Sequence, residues 1–213
     1  MDIAIVLYDR FTALDAIGPY EVLSRLPGSN VRFVAHSAGP VRTDNGMLTV
    51  LAQDALSAVP APEIVLVPGG PGEAVARAAG PLLDWLRRAH ETSTWTTSVC
   101  TGSLVLAEAG LLDGRRATSH WLAMDELARL GAVPVRERVV FDGRIVTAAG
   151  VSAGIDMALA FAGEIAGEQV AQAIQLGIEY DPQPPFDAGS PEKAPAEIVS
   201  LLRSRSRYFA PTA

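Results

Sequence analysis

The chain has 213 residues, 49% of them hydrophobic and 19% charged, and its 17 Lys and Arg stand against 24 Asp and Glu for a net charge of −7. That length suits a single domain over residues 1–213, with 181–213 as a C-terminal arm and helix, and the apolar fraction excludes a disordered, collagenous or coiled-coil chain. The negative balance repels phosphate backbones, so no nucleic-acid partner is expected, and the short basic groups Arg87-Arg88, Arg115-Arg116 and Arg203, Arg205, Arg207 read as solvated helix faces.

Short β-branched runs alternate with helical segments along the chain. Ile3 to Tyr8 reads as a buried strand, Leu14 to Leu26 as a helix and Val31 to His36 as a second strand. Met47 to Leu51 belongs to a small hairpin near Asp44-Asn45-Gly46. Glu63 to Val67 is a further core strand ending in Pro68-Gly69-Gly70-Pro71-Gly72. Pro81 to Glu91 is a helix with Leu82, Leu83, Trp85 and Leu86 toward its apolar side, and Thr94 to Val99 is a strand running into a helix from Gly102 to Ala109. Arg136 to Thr147 holds two strands joined at Asp142-Gly143, a type I′ hairpin signal. Helices follow at Gly154–Ile165 and Glu168–Tyr180, then a Pro-rich arm from Asp181 to Pro195 and a terminal helix from Ala196 to Arg207. Such alternation predicts a mostly parallel sheet with helices on both faces, whose sites lie beyond the carboxyl ends of the strands.

No apolar run reaches the roughly 18 residues of a membrane span. Met1-Asp2-Ile3-Ala4-Ile5 opens on a strand pattern without a basic leader, so a cytoplasmic protein with no membrane contact is expected. Cys100 is the single cysteine, which excludes an intrachain disulfide and fits a reducing compartment. Three scattered histidines and one cysteine offer no metal-ligand spacing, so no metal is expected. The tryptophans, Trp85, Trp95 and Trp121, read as core or interface packing.

The segment Ser98-Val99-Cys100-Thr101-Gly102 has the form of a nucleophile elbow, a strand turning sharply into a helix that opens with small residues. A helix N-terminus beside the sulfur would favour thiolate, although the same position also suits a buried structural cysteine. Asp15 lies in the first turn after the first strand, at the sheet edge that carries Cys100. Thr12 three residues earlier makes a helix-capping role the alternative, and Pro19 should kink that helix. Gly69 and Gly70 let a backbone N–H face the elbow as an oxyanion donor, or form a plain tight turn. His120 follows Cys100 by 20 residues and reads equally as its activating partner or as a core histidine.

Taken together, Leu14-Asp15, Gly18-Pro19-Tyr20, Pro68-Gly69-Gly70, Thr97 to Leu106, Gly110-Leu111-Leu112, Arg116 to Trp121, Gly154-Ile155-Asp156 and Glu179 to Pro191 resemble the ThiJ/PfpI superfamily over essentially the whole chain. Within it the pattern is similar to the isonitrile hydratase branch. The first-helix acid is Asp15 where the glyoxalase and deglycase branch carries glutamate, and Thr101 follows the cysteine where PfpI-type proteins tend to carry histidine. The resemblance implies a flavodoxin-like three-layer α/β sandwich, a homodimer, and hydration of a small-molecule isonitrile to an N-substituted formamide with no cofactor. It implies Cys100 as nucleophile, Asp15 as general acid that then activates water, and Thr101 orienting sulfur or water, with Gly69, Gly70 and His120 around the substrate. Two other readings share the cysteine: a glyoxalase- or deglycase-like enzyme, and a non-catalytic ligand or oxidation sensor.

Overall fold

The structure is a computed structural model, and it describes residues 1–209. In chain order the elements are β1 (Asp2–Val6), α1 (Ala13–Leu23), β2 (Asn30–Ala35), β3 (Gly39–Arg42), β4 (Thr49–Ala52), β5 (Asp54–Ala55) and β6 (Ile64–Val67). Next come α2 (Glu73–Ala78), α3 (Gly80–Thr92), β7 (Trp95–Val99), α4 (Gly102–Glu108), β8 (Arg116–Ala117), α5 (Met124–Arg129) and β9 (Val133–Pro134). The chain closes with β10 (Val139–Asp142), β11 (Ile145–Ala148), α6 (Ala153–Ala166), α7 (Glu168–Gly177) and α8 (Ala196–Ser204).

Seven strands form the central sheet in the order β10-β11-β7-β6-β1-β2-β5. Every pairing is parallel except the β10–β11 hairpin at one edge, which turns at Asp142-Gly143 as the sequence predicts, with Gly143 at φ 59°. Strand residues alternate between two apolar layers because successive side chains leave a strand on opposite faces. Ala4, Val6, Val65 and Val67 pack with α2, α3, α4 and α5, while Ile3, Ile5, Ile64 and Leu66 pack with α1, α6 and α7. This is the expected three-layer α/β sandwich. Both faces of the central strands are dry, so these strands read as continuous apolar runs.

The differences from expectation are local. α1, with Pro19 in its interior, ends at Leu23, three residues before the expected Leu26. Gly154 lets α6 approach at that point, since a Cβ there would meet Pro19 and Val99 side chains at 3.1 Å. The terminal helix stops at Ser204, three residues before the expected end, and of the expected arm and helix residues 210–213 lie outside the described residues. Two short helices, α2 and α5, had no periodic signal long enough to read from sequence.

Candidate active site

β1, β6 and β7 are parallel neighbours, so the segments that follow them emerge at one edge of the sheet. β7 delivers Cys100 there at φ 57°, a left-handed conformation that only tight constraint sustains in a residue with a side chain. The constraint is visible. The Cys100 N–H is shared between the carbonyls of Ala148 (3.1 Å) and Ala149 (3.0 Å). The Cys100 carbonyl accepts hydrogen bonds from the hydroxyls of Ser103 and Ser119, both at 3.1 Å. The strand-to-helix elbow expected from sequence is therefore present, with its backbone held from three directions.

α1 brings Asp15 to the same place, fully buried. Its Oδ2 accepts a hydrogen bond from the Gly69 N–H at 2.9 Å, and its Oδ1 is buried with no hydrogen-bond partner. The capping role does not form. The Thr12 hydroxyl donates instead to Asp44 at 3.1 Å, and the helix has no side-chain cap. Gly69 is required by proximity alone, because a Cβ there would lie 2.5 Å from the Thr101 nitrogen and 2.9 Å from Asp15 Oδ2. Gly70 adopts φ +136° and donates its N–H to the Thr101 hydroxyl oxygen at 3.0 Å.

These bonds correct the expected role of the two glycines. Both N–H groups are committed, one to Asp15 and one to Thr101, so neither is a free oxyanion donor. The loop is a jig for two side chains. With its oxygen already accepting from Gly70, the Thr101 hydroxyl keeps its own proton to offer to a reacting group.

A cavity of about 450 Å³ opens beside the elbow, lined by Ser119, His120, Trp121, Arg138, Val151 and Pro191 among others. Trp121 thus faces the cavity, where sequence placed it in core or interface packing. Ser119, through the Cys100 carbonyl, and Val151, through its N–H, both touch the cysteine, so the cavity borders the elbow although Cys100, Asp15 and Thr101 are not among its lining residues. Gly189 to Glu192 form part of its wall, so this stretch of the Pro-rich arm lies against the cleft of the same chain.

A sequence model described as the DJ-1/PfpI family matches residues 1–164. The chain belongs to the DJ-1/PfpI family. It is 43% identical over 206 residues to an isonitrile hydratase of Pseudomonas putida, covering 97% of this chain and 90% of that protein. It is also 37% identical over 175 residues to the HTH-type transcriptional regulator CdhR of Pseudomonas aeruginosa, where the match spans 78% of this chain and half of that protein. Among solved structures, a ThiJ/PfpI family protein from Pseudomonas syringae superposes with a TM-score of 0.92 at 37% identity, over 94% of this chain and 84% of that one.

In this DJ-1/PfpI site the electrostatics differ from the sequence expectation. Cys100 is only 5% exposed. Burial first, and then the adjacent Asp15 charge, push its thiol well up, outweighing the N–H groups of Val151 and Thr101 that favour thiolate. The expected thiolate-favouring environment is therefore corrected to one that keeps the thiol protonated. Asp15 moves the same way: burial raises its carboxyl from 3.8 to about 7, against the opposing hydrogen bonds from Gly69 and Cys100. At neutral pH the pair holds a thiol and a carboxyl near its midpoint.

His120 does not join them. Its Nδ1 accepts the Leu122 N–H at 3.3 Å, and burial lowers its pKa, so it stands in the cavity wall as a neutral ring. Two contributors had no sequence signal. Val151 sits at φ 26°, strained for a β-branched residue, and turns its N–H toward the sulfur. The Tyr8 hydroxyl donates to the Pro68 carbonyl at 2.7 Å, anchoring the loop from behind. Among the described residues there is no His, Cys, Asp and Glu group able to hold a metal ion.

Proposed function

We propose that the chain is an isonitrile hydratase, adding water to R–N≡C to give R–NH–CHO, with Cys100, Asp15 and Thr101 as its catalytic residues. The carrying observation is the buried Asp15 carboxyl beside the Cys100 thiol, with no cation near it and a pKa of about 7. Such a group can accept and return one proton at neutral pH, and an isonitrile carbon must gain both a nucleophile and a proton. The identity to the P. putida hydratase over nearly the full length of both chains supports the same reading.

In this scheme the Cys100 sulfur bonds to the terminal carbon while the Asp15 carboxylate takes the thiol proton. Asp15 then returns that proton to the same carbon, giving the thioimidate Cys–S–CH=N–R. Water adds to the thioimidate carbon, Asp15 relaying one of its protons to nitrogen. The carbon–sulfur bond breaks, sulfur recovers the second proton and the formamide leaves. Thr101, fixed by Gly70, orients the sulfur or the water, and His120 shapes the cavity without transferring protons.

No described helix is long and apolar enough to cross a membrane. We place the protein in the cytoplasm, as one domain assembled into a homodimer. The β3–β4 hairpin supports a dimer by exposing Met47, Leu48 and Leu51.

The test is formamide production from a simple alkyl isonitrile by reduced, folded protein, beside methylglyoxal as the rival substrate. Formamide from the wild type, none from Cys100→Ala and roughly 10²-fold less or lower still from Asp15→Asn is the expected result. Methylglyoxal turnover alone would move the chain to the glyoxalase or deglycase branch. Turnover of neither would leave a ligand or oxidation sensor, the reading that the regulator relative favours.

A further inference from the structure

Glu73 opens α2 immediately after the Pro68–Gly72 loop and is fully buried. Burying a carboxylate requires compensating charge. Arg77 Nε lies 2.8 Å from Glu73, but its guanidinium is shared with Glu126 at 2.7 Å and Glu108 at 3.6 Å, and Glu126 has Arg129 as well. Three carboxylates therefore face two cations from this part of the molecule. The third cation comes from the far end of the chain.

Arg207 Nη2 reaches Glu73 Oε1 at 2.5 Å, and the Tyr208 hydroxyl donates to the same oxygen at 2.7 Å. Arg207 Nη1 also donates to the Pro71 carbonyl at 2.8 Å. This overturns the reading of Arg207 as part of a solvated helix face. The loop is thus fastened at both ends, Pro68 by Tyr8 and Pro71 by Arg207, with Gly69 and Gly70 between them holding Asp15 and Thr101.

We propose that Arg207, assisted by Tyr208, is a positioning residue for the reaction, fixing the Pro68–Gly72 loop so that its two glycine N–H groups aim the Asp15 carboxyl and the Thr101 hydroxyl at Cys100. The inference rests on the hydratase reading for its activity consequence, and its geometry is independent of it. Arg207 touches no reacting atom and is 42% exposed, so removing it leaves the cavity beside the elbow intact.

The experiment compares wild type, Arg207→Ala, Arg207→Lys, Tyr208→Phe and, as a control in the same tail, Arg205→Ala. Two quantities are read: isonitrile kcat and KM, and the pH dependence of iodoacetamide labelling at Cys100, the sole cysteine. Misplacing the two side chains should lower kcat about 10- to 100-fold in Arg207→Ala with KM little changed. The labelling midpoint should move by about half a pH unit or more, because the Gly69 hydrogen bond to Asp15 is loosened. Arg207→Lys should recover part of both effects, and Arg205→Ala should show neither. A folded Arg207→Ala with wild-type kcat and labelling profile overturns the proposal. Should Arg207→Ala fail to fold, Tyr208→Phe decides by the same criteria, with smaller shifts. Should the wild type hydrate no isonitrile, the labelling arm still decides the positioning role while the function reading falls separately.

Discussion

Two carboxyl groups flank the Pro68–Gly72 loop, and both are fully removed from solvent. Glu73 lies against Arg77, Arg207 and the Tyr208 hydroxyl, a compensated charge that ties helix, loop and tail together. Asp15 receives one backbone N–H and keeps an oxygen with no partner. The same functional group is an anchor in one setting and, in the mechanism proposed above, a proton carrier in the other. The difference lies in its neighbours: a buried carboxyl denied cations holds its proton to higher pH and becomes useful near neutrality.

The comparison can be tested by its extremes. Cys100→Ala should abolish formamide production, leaving Asp15 with no sulfur to exchange protons with. Asp15→Asn should reduce turnover roughly 10²- to 10⁴-fold, the usual worth of a positioned acid–base group. It should also stabilise the protein. Because the folded carboxyl titrates at about 7 and the unfolded one near 3.8, the native state holds a proton across that interval that the unfolded chain has lost. Wild-type stability therefore falls as pH rises from 4 to 7, and Asp15→Asn should gain up to about 4 kcal/mol at pH 8 and little at pH 4. Urea unfolding at both pH values checks this, and equal stabilities at pH 8 would refute the uncompensated carboxyl.

Glu73→Gln should move the other way, losing roughly 3–5 kcal/mol at pH 7 because Arg77 and Arg207 are left without their buried partner. A loss from both variants, or a gain from both, would collapse the contrast between the two sites. Thr101→Val sharpens it on a smaller scale: the buried Gly70 N–H loses its acceptor at a cost of about 1–3 kcal/mol, read as a lower melting temperature. The smallest effect belongs to His120→Asn, which should change kcat less than the roughly 10²-fold minimum for a proton-transfer residue, since the ring's Nδ1 is taken up by the Leu122 N–H.

Much of this was legible in the chain. Burial periodicity and β-branched runs located β1, β2, β6, β7, β10 and β11, and the parallel order placed Asp15 and Cys100 at one sheet edge. These are local signals: each depends on residues close in sequence. The elbow itself was visible as Ser98-Val99-Cys100-Thr101-Gly102, because a sharp turn needs small neighbours on both sides.

What the tertiary structure alone decided was the chemical state of that site. Gly69 meets Asp15 across 54 residues and Gly70 meets Thr101 across 31, so two donors expected to be free proved to be committed. Arg207 meets Glu73 across 134 residues and donates to the Pro71 carbonyl, which made an apparently solvated arginine a fastening of the Pro68–Gly72 loop. Sequence determines which elements form and which chemistry is on hand. Desolvation and hydrogen-bond partners set acidity and orientation, and both depend on atoms that only the folded chain brings together.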